Sequence, residues 1–361
     1  MDFRHFFDSK KISFIAIFAV LMTFSVTQAA DIDAVNPVAE GGHGAHAEEE
    51  FEPTGVIMEH ISDAHDWHLW GHTSIPLPVI LYTDKGLEFF LSSVFHHGEH
   101  DHQGKYYTYR LVDKKKIMAV NALGEVDEEA SKRVWDFSIT KNVASMFLSV
   151  IILLLIFTSV ARAYKKREGK APKGLQSLLE PIILFVRDDI ARPNIGHKYA
   201  RFMPLLLTIF FFIWINNLMG LVPFFPGAAN VTGNIAVTFV LALIVLLVVN
   251  FSGNKYYWKH ILAPNVPWWL YPIMIPVELI GVISRPFALM VRLFANITAG
   301  HIIILSLISL IFVFKSLAVA PISLVFVLFM NILELLVAAL QAFIFTLLTA
   351  LFIGMAVEEH H

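Results

Sequence analysis

From about residue 137 onward the chain is a succession of long apolar stretches separated by short polar ones. Residues 143–164, 202–222 and 235–251 are each apolar enough to cross a bilayer, which takes about 20 residues. Two further stretches, 276–314 and 321–357, hold about 40 residues each, so a continuous helix would be roughly 60 Å long, twice the hydrocarbon thickness. Each either breaks into two spans or runs as one strongly tilted helix. Only Pro286 interrupts the first and only Gly354 the second, and no loop composition divides either. The pattern predicts an all-α membrane protein with five transmembrane helices, the last two forming a long tilted hairpin joined at residues 315–321. Between the first two spans, Leu175, Leu178, Leu179, Ile182, Ile183, Val186 and Ile190 follow helical spacing, interrupted by Glu180, Arg187, Asp188 and Asp189. This predicts an amphipathic helix on the cytoplasmic surface or packed on the bundle.

Polar segments set the orientation. Arg162, Lys165, Lys166, Arg167, Lys170 and Lys173 follow the first span, the loop 223–234 carries no Lys or Arg, and Lys255, Lys259 and His260 follow the third. The positive-inside rule puts the start of the first span outside and the C-terminus of the chain in the cytoplasm.

The N-terminal part fits an exported segment. Arg4, Lys10 and Lys11 precede a short apolar core at 12–26, and Thr27-Gln-Ala-Ala30 offers small residues for cleavage. That is the layout of a signal peptide over 1–30, with an uncleaved anchor as the alternative. Residues 31–136 then form a polar, periplasmic region. Residues 74–83, 87–91 and 106–112 read as strands, with Asp84-Lys-Gly86 as a turn. Ten of the 16 histidines lie between His43 and His102. His65, His68 and His72 would share one face of a helix. A solvated histidine-rich surface and a metal site both fit, and the former is the expectation, so no metal is assigned.

Composition narrows the classes. Hydrophobic residues make up 56% and charged residues 16%. The net charge of −3 gives no reason to expect a nucleic-acid partner. Without Cys, thiolate chemistry, disulfides and Cys-ligated metals are excluded.

The chemistry lies in charges that interrupt the hairpin. An arginine near the bilayer centre costs roughly 2.5–3.5 kcal/mol on insertion scales, so Arg292 calls for a function. Its guanidinium stays protonated at any physiological pH. Antiparallel helices pair residues whose numbers average to the turn. Arg292 with Gln341, His301 with Glu334, and Glu278 with Glu358 all average within 315–321. Three polar layers follow. Glu278, Arg285, Arg292 and Asn296 lie on one stripe, whereas His301 points about 180° away from Arg292 on an ideal helix. The pattern predicts two polar regions at different depths, separated by the arginine layer.

Three segments carry a resemblance. Arg292-Leu-Phe-Ala-Asn-Ile-Thr-Ala-Gly-His301, Leu333-Glu-Leu-Leu-Val-Ala-Ala-Leu-Gln-Ala-Phe-Ile-Phe345 and Asn217-Leu-Met-Gly-Leu-Val-Pro223 resemble, in order and spacing, motifs of the ATP synthase a chain family. The likeness covers roughly 140–361 and is to the longer forms of Bacteroidetes-type bacteria. It implies a non-catalytic stator subunit of the F-type ATP synthase in the bacterial inner membrane, without cofactor. Its partners would be the c-subunit ring, the subunit b peripheral stalk, other synthase subunits, the lipid bilayer and protons. Arg292 would face the ring carboxylate and block direct passage between two half-channels. His301, Glu334 and Asn217 would line the outer half-channel, and Glu278 with Glu358 would border the cytoplasmic one. Asn296 and Gln341 would hold Arg292 and local water. Some family members have an acid at the position of His301 and imidazole at that of Glu334; here they stand the other way round. The competing class is a self-contained transporter, which usually shows internal repeats; the two halves of this chain show none. A periplasmic metal-handling protein with an anchor is a third reading, but it leaves Arg292 unexplained.

Overall fold

The computed structural model describes residues 53–70, 73–112, 115–167, 170–222, 229–264, 266–314 and 319–358. The segment read as a signal peptide lies outside the described residues.

Helix α1 (Pro53–Ile61) leads into a small β region. Strands β1 (Asp66–Trp70) and β2 (Thr73–Pro76) pair antiparallel. Strand β3 (Pro78–Thr83) lies between β4 (Gly86–Leu91) and the short β8 (Trp135–Asp136). Strand β6 (Thr108–Val112) lies between β5 (His102–Gln103) and β7 (Lys116–Val120). Alternation explains these sheets: Val79 and Leu81 from β3, Tyr109 and Leu111 from β6, and Ile117 from β7 turn inward with Phe95 as a separate core. Glu88 links the two larger sheets by accepting hydrogen bonds from the Lys105 amide at 2.7 Å and the Tyr109 hydroxyl at 2.7 Å.

Two expectations for this region are corrected. The stretch 74–83 is not one strand, because the chain turns at Leu77, whose amide is taken by the Ser92 hydroxyl. His65 and His68 do not share a helical face. His68 belongs to β1, whose pairing with β2 outcompetes helix in a segment rich in aromatic residues, while His72 lies outside the described residues. Among the described residues no group of three or more acidic or imidazole side chains is placed to hold a metal ion.

The β region joins the membrane part where the first membrane-length helix begins. Helix α3 (Lys141–Lys166), which follows the short α2 (Glu128–Ser131), is the first membrane-length helix. Its first amides, which have no partner within the helix, are satisfied from far away in sequence. The Asp63 carboxylate accepts from the Asn142 amide at 3.0 Å and the Thr140 hydroxyl at 2.7 Å. Beside it His65 Nε2 pairs with Asp136 Oδ2 at 3.0 Å. Burial is the largest influence and works against both charged forms, but hydrogen bonding and the attraction of opposite charges together outweigh it, holding the Asp136 carboxyl below its ordinary value and raising the His65 imidazole. Asp63 and Asp66 add to the field at His65. The stabilisation from Asp136 is lost as pH falls through its lowered value, and that from His65 as pH rises through its raised value. Resistance of the β region to proteolysis should therefore peak at weakly acidic pH. Asp136→Asn should flatten that profile and cost about 1.5–3 kcal/mol of local stability, as for other hydrogen bonds to charged groups. An unchanged profile in the variant would show the pair to be inert.

The membrane part holds, among the described residues, five helices long and apolar enough to cross a bilayer. After α3, the predicted amphipathic helix is α4 (Leu175–Phe185). It does not stand apart: a π-turn (Val186–Ala191), α5 (Arg192–Ile195) and a 3-10 turn carry it into α6 (Tyr199–Leu221). The α4–α6 stretch is the most enclosed of the five. Helix α7 (Ile235–Ser252) starts at Asn234, whose side chain caps the Ala236 amide. The short α8 (Lys255–Leu262) follows. Helices α9 (Tyr271–Val313) and α10 (Ala320–Val357) have 43 and 38 residues and are unbroken, as the tilted-hairpin reading expects. Pro276 and Pro286 lie inside α9 without ending it.

Gly354 lets α10 reach α5. A Cβ there would lie 1.9 Å from the Asn194 carbonyl oxygen and 2.9 Å from its carbon, both backbone atoms that cannot swing aside. Gly354→Ala is expected to cost more than the ~1–3 kcal/mol of ordinary overpacking. It should lower the amount of chain retained in membranes, and wild-type abundance with an unchanged melting temperature would refute the contact.

Candidate proton path through the hairpin

Arg292 is the central residue of the 43-residue α9. Leu293 and Ile297 beside it turn into the bundle, while Arg292 and Asn296 are exposed. Large apolar side chains dominate the exposed side of the hairpin: Ile283, Phe287 and Val291 on α9, and Leu336 and Leu340 on α10. Arg292 thus presents a fixed positive charge on a face of this membrane-length helix that is exposed at that position. Among the described residues it makes no hydrogen bond or ion pair. Asn296 and Gln341, expected to hold Arg292 and local water, differ in placement: Asn296 is exposed on the same helix as Arg292. Gln341 is buried in α10 while Arg292 points outward, so the two turn to different surroundings.

The second layer closes as the register predicts. His301 Nδ1 lies 3.5 Å from Glu334 Oε1. Glu334 is 5% exposed, and neither of its oxygens accepts a hydrogen bond from a described residue. A buried carboxylate in that state is expensive unless paired, which leaves His301 as its counterpart. One glycine makes space for Glu334 and a second lines the side of His301 at ordinary contact distance. A Cβ at Gly300 would sit 2.8 Å from Glu334 Oε1, and one at Gly220 on α6 would sit 3.6 Å from His301 Nε2. Sequence reasoning missed both. The available signal was a glycine in a helix interior, which costs ~1 kcal/mol against Ala and so points to a packing reason.

Asn217 lies on α6, one turn from Gly220, and is fully engaged. Its amide donates to the Ala338 carbonyl at 3.2 Å, and its oxygen accepts from the Thr232 hydroxyl at 2.5 Å. It ties α6 to α10 just beyond the His301–Glu334 pair.

At the other end Glu278 meets α8 rather than the C-terminal acids. Glu278 Oε2 lies 4.0 Å from His260 Nδ1. Glu358 is exposed after the end of α10, and Glu359 lies outside the described residues. The last carbonyl of α10 is instead taken by Lys198 Nζ at 3.4 Å and Asn254 Nδ2 at 2.8 Å, which suits the negative end of a helix dipole. Arg285 packs 5.9 Å over the Phe352 ring, a further pair numbered about the same turn. His260, Lys198 and Asn254 were not legible as site neighbours, because short connecting segments bring them there.

Residues 143–354 match the ATP synthase A chain family, and residues 56–137 match a domain of unknown function (DUF8433). The chain is 52% identical over 234 residues to ATP synthase subunit a of Chloroherpeton thalassium, covering 63% of this chain and 69% of that one. It is 46% identical over 229 residues to ATP synthase subunit a 2 of Chlorobaculum tepidum, covering 62% and 64%. With ATP synthase subunit a 2 of Prosthecochloris aestuarii the identity is 43% over 267 residues, covering 72% and 81%.

Proposed function

Because this chain belongs to the ATP synthase A chain family, we propose that it is the proton-conducting stator subunit of an F-type ATP synthase in the bacterial inner membrane. It does no ATP chemistry itself. The carrying observation is the exposed guanidinium at the centre of a membrane-length helix. A charge so costly to bury in lipid is supported by a partner that brings the opposite charge. The c-subunit ring, with one membrane carboxylate per subunit, is that partner, and the peripheral stalk holds the chain against it.

A proton arriving from outside passes Asn217, His301 and Glu334 and reaches a ring carboxylate. His301 is suited to relay it, since imidazole changes charge near neutral pH. The ring then turns until the site meets Arg292. Opposite charges a few ångströms apart favour the ionised carboxylate, so the proton departs by the inner half-channel past Glu278, His260 and Glu358. The unpaired state of Arg292 among the described residues supports this reading, because a guanidinium already held by a carboxylate could not serve each passing ring site. Residues 1–30 are read as a leader, 31–136 as a periplasmic region and 137–361 as the proton-conducting domain. The test is ATP-driven pumping and passive proton flux in vesicles carrying the wild-type or Arg292→Ala membrane sector.

A further inference from the structure

Helix α8 is short, polar on one side, and set at the end of a span. It begins three residues after Ser252, where α7 ends, and precedes the start of α9 at Tyr271. It therefore lies at the level of the lipid headgroups. Its inward side is fixed: Ile261 is buried and the Tyr257 hydroxyl donates to Asn250 Oδ1 at 3.2 Å, while His260, 71% exposed, lies at the edge 4.0 Å from Glu278. The opposite side is exposed. Lys255 and Lys259 stand one turn apart on it, flanked by Tyr256, Trp258 and Leu262. Trp268 and Trp269 follow in the next turn and are 83% and 63% exposed.

Two lysines at this spacing repel one another and weaken a helix of only eight residues. The acidic side chain that the structure puts next to α8, Glu278, already faces His260. Neither lysine forms an ion pair with a described residue. Exposed tryptophans are unfavourable in water but suited to the interface, where an amphipathic ring meets headgroups. Basic residues ringed by such aromatics complement the negative surface of a cytoplasmic leaflet.

We propose that the outward face of α8, with Lys255 and Lys259 at its centre and Tyr256, Trp258, Trp268 and Trp269 around it, is a binding site for the phosphate of an anionic phospholipid in the inner leaflet. The site rests on the orientation given under Proposed function. It fixes the inner end of α9 relative to the membrane, and so the depth at which Glu278 and Arg292 stand.

The experiment uses the full chain reconstituted with trace spin-labelled phosphatidylglycerol or phosphatidylcholine, reading the motionally restricted fraction of each. Wild type should prefer phosphatidylglycerol. Lys255→Gln with Lys259→Gln should reduce that preference by roughly fivefold per lysine, the equivalent of ~1 kcal/mol for each basic residue at an anionic surface. Lys255→Arg with Lys259→Arg should keep it, which separates lost charge from lost folding, and Lys165→Gln with Lys166→Gln should leave it unchanged. Equal preference in wild type and the Gln variant overturns the proposal. So does displacement of the lipid by inorganic phosphate at matched ionic strength, which would mean a free-anion site. Proton pumping plays no part in the readout, so failure here is distinguishable from failure of the stator reading.

Discussion

Arg292→Ala should abolish ATP-driven acidification of inverted vesicles, to the background of vesicles without the complex, while the chain itself is still inserted. The folding side of the substitution is mild. Arg292 is exposed, makes no hydrogen bond or ion pair with a described residue, and lies between Val291 and Leu293 in a helix that Ala favours. Removing it deletes a charge and little else. What remains between the His301–Glu334 layer and the Glu278–His260 layer is one fixed positive charge, Arg285, which lies two turns nearer Glu278 and packs over Phe352. The ring carboxylate would then stay protonated as it passes and would not release its proton in step with rotation. A potential of 100 mV is worth about 2.3 kcal/mol per charge, so any direct path is strongly driven and passive flux should persist or rise. Arg292→Lys keeps the charge but loses the planar, delocalised guanidinium. It should stay well below wild type. Near-normal pumping by Arg292→Ala would make the arginine structural and would end the mechanism proposed here.

Much of the hairpin was legible because two independent regularities agree. The apolar stretches at 276–314 and 321–357 lack any loop composition, so unbroken helices were the simplest outcome, and α9 and α10 have that form. The polar interruptions then fixed the register: His301 meets Glu334, and Arg285 meets Phe352, about one turn centre. What stayed hidden depends on packing between distant segments. Asp63 caps α3 across 79 residues, and no local signal reports such a contact. Gly300 and Gly354 reveal their reason only when the atoms they make room for are in place. The β region misled at His65 and His68 because helical spacing of three histidines carries little weight against aromatic residues that favour strand pairing. The Arg292–Gln341 layer shows the limit of register. Numbers that average to the turn put two residues at one depth, but the faces of α9 and α10 decide whether their side chains meet.

Exchanging His301 and Glu334 should preserve more pumping than removing either. The two side chains face each other across 3.5 Å, and the exchange keeps one imidazole and one carboxylate over the same gap. Gly300 leaves room beside Glu334. His301→Ala would strand Glu334, which is almost fully buried, and Glu334→Ala would remove the acid and leave a void in α10. Initial pumping rates per inserted chain should therefore run in the order wild type, double exchange, then either single alanine variant near background. A purely packing role predicts a different ranking, because an imidazole on α10 is bulkier than the carboxylate it replaces and would disturb Gly300 most. The exchange also moves the titrating imidazole to a more enclosed position, so the pH dependence of pumping should shift between wild type and the double variant. Equal loss in all three variants, or a pH profile unmoved by the exchange, would mean that the pair does not carry protons as a unit.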